Sequence, residues 1–160
     1  MLQLAHWRRF RAPTAVRAAF WSGTFVEGWA VYAERVMAEH GYRDDRFVMQ
    51  QLKMQLRMII NAILDARVHA HGMTEGEAMR LMTGRGHQEE GEAVGKWRRA
   101  LLTSTQLSTY YVGYVEVSDL VRDVRAARPE LSERDAHDLV LSQGSPAPRD
   151  LRTLLLDPIG

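Results

Sequence analysis

The chain has 160 residues, of which 46% are apolar and 26% charged, the mix of a globular rather than a disordered protein of one domain. Its 21 basic side chains face 20 acidic ones, a net charge of +1 that argues against a general nucleic-acid binder, which would show a basic excess. With no cysteine, a disulfide framework, a thiol nucleophile and a thiolate metal site are also excluded, and the compartment stays open.

The first residues, MLQLAHWRRFR, are apolar and then basic, the reverse of an export signal. Met1, Leu2 and Leu4 lack a polar lead-in or N-cap, so the chain is expected to begin inside a fold. From Thr24 to His40, Val26, Trp29, Ala30, Ala33, Val36 and Met37 form a stripe of helical period, with Gly41 as the stop. Asp44 or Asp45 can cap a second, long helix whose apolar positions run from Phe47 to Leu64, continuing towards His69 and closing at Gly72. Thr74 with Glu77 spells a capping box for a short helix through Leu81 and Met82, which Gly84 and Gly86 break.

A further helix is expected from about Gln88 to Leu102, with Glu89, Glu90 and Glu92 early and Lys96, Arg98 and Arg99 late, as the helix dipole favours. Another runs from Leu107 to Ala127, ahead of Pro129. Ser132 with Asp135 opens the next, which ends at Gly144, and Pro148 fits the first position of a last helix through Leu156. The charge-free stretch Ala100 to Val115 is diluted by Thr103, Ser104, Thr105, Gln106, Ser108 and Thr109, so no membrane span is expected. With no alternating strand and no repeat, the expectation is an all-α chain, residues 1–160 forming a single helical unit.

Chemistry concentrates in Phe25-Val-Glu-Gly-Trp-Ala-Val-Tyr-Ala-Glu34. Glu27 lies among aromatics, where a carboxylate is desolvated unless a cation or donors satisfy it, and a metal ion would do so. The pattern alone favours the alternative of an exposed Glu27 paired with an arginine. Asp65 and His69, four apart, can form an oriented carboxylate–imidazole pair. His71 faces elsewhere, and His87 could join them around a metal only if a loop folded back. Tyr110, Tyr111 and Tyr114 share an apolar helix and read as core tyrosines or as donors to an oxyanion. His137-Asp138 reads locally as a helix-surface pair. Walker, dinucleotide and G-x-S-x-G patterns are absent, as is an internal HExxH.

In order, TFVEGWAVYAE at 24–34, Gly41-Tyr42, LDARVHAHGMTEGEA at 64–78, TSTQLSTYYVG at 103–113 and AHDLVLSQGSPAPRDLRTLLL at 136–156 resemble one family across almost the whole chain. It is the bacterial "domain of unknown function 885" family, whose members are predicted to be zincin-like hydrolases. The resemblance implies a helical, zinc-dependent, peptidase-like hydrolase of peptide or small amide bonds. An upstream HE-x-x-P-G-H motif would supply histidine ligands and a glutamate base, and Met1-Leu2-Gln3-Leu4 looks like the stretch that follows it. The chain is therefore expected to be the C-terminal part of the catalytic domain, lacking its N-terminal half and inactive alone. Glu27 becomes the implied third zinc ligand, Tyr110 an implied oxyanion or substrate donor, and His69 and His137 implied substrate-binding or transition-state groups. The other reading is a non-catalytic helical interaction module or degenerate remnant, whose open apolar faces would bind a partner or a second copy.

Overall fold

Capping chemistry sets where most of the helices begin. In the computed structural model, which describes residues 10–157, α1 is Ala15–Ala19, α2 Gly23–Glu39, α3 Asp45–His71 and α4 Glu75–Met79. A π-helical segment, Arg80–Arg85, follows α4. After it come α5 Glu90–Leu102, α6 Thr109–Ala127, α7 Glu133–Leu141 and α8 Pro148–Leu156. The all-α expectation holds, with no strand among the described residues. Met1 to Leu4, on which the expected start inside a fold rests, lie outside them. No helix among the described residues is long and apolar enough to cross a membrane.

Asp44 accepts from the Phe47 amide at 3.3 Å to start α3, and Ser132 accepts from the Asp135 amide at 3.1 Å to start α7. The Thr74–Glu77 capping box forms as expected, and Pro148 opens α8. Gly72 closes α3 in the left-handed region, at φ 62°. Two features depart from expectation. The short helix does not break at Gly84 but widens into the π turn, with the Gly86 amide donating to Leu81 O at 3.1 Å. The cause is packing at Gly86, where a Cβ would lie 2.6 Å from Met82 O and 2.7 Å from Ile60 Cδ1. Helix α1, capped by Thr14 through the Arg17 amide at 3.2 Å, was not foreseen.

Contacts divide the chain into two units, Met1–Ala33 with Gly113–Gly160, and Glu34–Val112. In the first, α2 and α6 meet backbone to backbone. A Cβ on Gly113 would stand 2.1 Å from Thr24 O, and one on Gly28 would stand 2.2 Å from the Gly113 carbonyl carbon. Phe25, Trp29 and Tyr32 on α2 are buried here, as are Val117, Leu120, Val121 and Val124 on α6. Arg128 donates to Leu155 O at 3.1 Å, tying the end of α6 to α8, and Arg152 pairs with Asp123. In the second unit, Ile60 and Leu64 of α3 pack with Ala78, Met82, Ala93, Trp97, Ala100 and Leu107. Beside that core Glu92 bridges Arg57 and Lys96, at 2.9 and 3.6 Å. Burial holds the Lys96 ammonium below the usual lysine range, with Glu92 opposing the shift.

The helix contact makes a paired prediction. Gly113→Ala must push α2 and α6 apart and should cost about 3 kcal/mol in chemical denaturation. Gly95→Ala, in α5 with nothing within 4 Å of the added methyl, should gain about 0.5–1 kcal/mol from helix propensity. Equal effects of the two would mean that the α2–α6 approach is not constrained.

Candidate active-site residues

In the first unit, α2 carries a run of aromatic side chains on one side. Phe25 and Trp29 rings lie 5.9 Å apart and Trp29 and Tyr32 rings 5.5 Å apart. Glu27 precedes the contact glycine Gly28, so the α2–α6 approach fixes its backbone. Its side chain is half-buried and makes no hydrogen bond or ion pair among the described residues, so the arginine partner considered from the pattern is not found there. Glu34 is exposed and likewise unpaired among the described residues, its neighbour Arg35 pairing instead with Glu39 at 3.3 Å.

His137 corrects the expectation of a helix-surface pair. Asp138 turns outward to Arg134 at 3.8 Å, whereas His137 is half-buried and shares a 2.8 Å hydrogen bond between its Nε2 and the Tyr32 hydroxyl. Its ring also stands edge-on to Trp29 and Tyr32, at centroid distances of 5.7 and 5.5 Å. The imidazole is thereby oriented by two buried aromatics 105 and 108 positions away in sequence (137 − 32 and 137 − 29). That pairing left no local signal.

In the second unit Asp65 is the anchoring group. It is 2% exposed, and its carboxylate accepts from the Thr105 amide at 3.1 Å and from the Ser108 amide and hydroxyl at 2.9 Å each. These bonds hold residues 103–108 as a turn, so α6 begins at Thr109 rather than at Leu107. His69, 3.6 Å from Asp65 Oδ1, directs Nε2 at Ala100 O and Thr103 O, both 2.9 Å away. Two carbonyls can only accept, so Nε2 carries the proton and caps the end of α5. Asp65 and His69 thus hold the corner that presents Tyr110 in the first turn of α6. Tyr110 is half-buried, with a hydroxyl that bonds no described residue and is not sealed inside. Tyr114, one turn on, is a core residue of the first unit.

The described residues bring no three His, Asp or Glu side chains together as a metal site, His87 and His71 included. Both of those histidines are exposed, His87 at φ 49°. The described residues therefore do not make a complete metal site by themselves.

The anchoring role of Asp65 predicts that Asp65→Ala leaves two amides unsatisfied and costs about 3 kcal/mol. Amide exchange should accelerate most at Thr105 and Ser108. Unchanged protection at those two amides would show that the turn is held by something else.

A family described as "Bacterial protein of unknown function (DUF885)" matches residues 1–155. No curated protein matches the chain. Among solved structures, a protein of unknown function from Shewanella oneidensis, described as a candidate lipoprotein, superposes with a TM-score of 0.86 at 39% identity. The match covers 97% of this chain and 29% of that one, so the chain spans under a third of the length of that relative.

Proposed function

The chain belongs to this bacterial family of unknown function, and on that premise we propose that it is the C-terminal helical part of a zinc-dependent, peptidase-like amide hydrolase. In this reading Glu27 is a metal ligand. The observation that carries it is the half-buried Glu27 carboxylate, next in sequence to the α2–α6 contact and with no partner among the described residues. The histidine ligands and the general-base glutamate come from sequence beyond these 160 residues, and a relative more than three times as long leaves room for them. A zinc ion bound there supplies carbonyl polarisation and water activation.

The residues of this chain then divide the remaining work. Tyr110 donates its phenol proton to the carbonyl oxygen as negative charge develops. His137, oriented by Tyr32 and Trp29, binds the substrate through its ring. His69 is a positioning residue, since its Nε2 proton is already committed to the end of α5.

In the full-length protein, Glu27→Gln should reduce zinc from about one ion per chain to under a tenth, with hydrolysis lost in parallel and the far-UV helical signal preserved. Full zinc occupancy in that variant would remove Glu27 from the ligand set. Tyr110→Phe should keep its zinc and lower kcat about a hundredfold with little change in KM. The 160-residue chain alone should hold no zinc tightly.

A second reading, a non-catalytic interaction module, has its own observation. Met49, Leu52 and Leu56 follow one stripe along α3 and are 67%, 51% and 36% exposed. A discrete, soluble dimer of the 160-residue chain would favour this reading, whereas heterogeneous aggregates would favour the hydrolase part.

A further inference from the structure

The second unit holds a cleft that neither reading uses. It measures about 360 Å³ and lies between the C-terminal half of α3 and the α4–π segment. Ile63, Met73 and Leu81 give it apolar walls, and Arg67, Arg80 and Arg85 line it with three guanidinium groups. A second hollow of about 390 Å³ adjoins it, sharing Arg67 and Met73 and adding His71.

None of the three guanidinium groups makes a hydrogen bond or ion pair among the described residues. The one acid in the cleft, Glu77, is committed elsewhere. Its Oε2 accepts from the Thr74 amide at 2.8 Å and the Thr74 hydroxyl at 2.7 Å, completing the cap of α4. Those bonds, and then Arg80 and Arg67, hold its carboxyl below the usual range, so it stays ionised without pairing directly. The lining therefore carries a formal charge of +3 − 1 = +2.

The π segment supplies an independent indication. In an α-helix, residues five apart point about 140° away from each other, since each residue turns the chain by about 100°. A π turn closes with bonds five residues apart and brings such residues towards one side. Arg80 and Arg85 are the first and last residues of this segment, and both face the cleft. The widened turn thus lets both arginines line one cleft, where an ordinary helix would separate them.

We propose that this cleft binds a soluble organic phosphate monoester, its dianionic group held by Arg67, Arg80 and Arg85 and its short apolar portion lying against Ile63, Met73 and Leu81. Planar guanidinium forks match phosphate oxygens in pairs. The cleft volume falls at the small end of small-molecule sites. This proposal does not depend on Glu27 or on any metal.

The test is an NMR titration of the 160-residue chain with inorganic phosphate and with hexyl phosphate at low ionic strength. Saturable shifts should centre on residues 80–86, and hexyl phosphate should bind about fivefold or more tightly than phosphate. Arg80→Ala with Arg85→Ala should weaken binding about tenfold or more. Arg46→Ala, at an exposed position outside the cleft, should leave it unchanged. Raising salt from about 20 mM to about 200 mM should weaken the wild-type affinity severalfold. No saturable shift with either ligand, or equal binding by the wild type and the folded double variant, would overturn the proposal.

Discussion

Everything distinctive in the first unit depends on the contact between Gly28 and Gly113. Two helices ordinarily keep about 8–10 Å between axes because side chains stand between them. Here both positions lack a side chain, and the Gly113 backbone comes against Thr24 O and the Gly28 backbone. So close an approach leaves α2 little freedom to rotate. It sets which side chains turn inward, Phe25, Trp29 and Tyr32, and leaves Glu27 half-buried at the margin. The bond from Tyr32 to His137 then extends the same register to α7.

In the second unit a carboxylate does the corresponding work. Asp65 is buried, yet it receives three hydrogen bonds from one turn, so its desolvation is offset by donors that themselves need an acceptor. His69 adds a donor for the end of α5. Tyr110 is held by this polar corner, whereas Glu27 is held by steric contact between backbones. Two different forces therefore position the two residues on which the proposed hydrolase depends most.

The helices were legible where the instruction is local. Asp44, the Thr74–Glu77 pair, Ser132 and Pro148 each act within one turn of their own position, and each starts the helix expected of it. The importance of Gly113 was not legible, because nothing near it in sequence marks it; its demand comes from Thr24 and Gly28 across the helix contact. The partner of His137 was hidden for the same reason. Glu27 stood out as a carboxylate among aromatics, but whether an arginine would meet it depends on helix rotation, which the pattern does not encode. The π turn was missed because Gly84 and Gly86 read locally as breakers, while Gly86 in fact accommodates Ile60 of another helix. The family resemblance came through order and spacing of segments, which outlast the identity of single residues.

The π segment also bears on how relatives should be aligned. A π turn amounts to one residue more than an α turn of the same span. A homologue lacking that residue would set the arginine aligned with Arg85 only four positions after the one aligned with Arg80, about 40° around an ordinary helix. The two guanidinium groups would then still share a face, one ordinary turn apart. For this part of the family, segment length and turn type have to be read together, because arginines spaced like Arg80 and Arg85 share this surface only where the turn is widened.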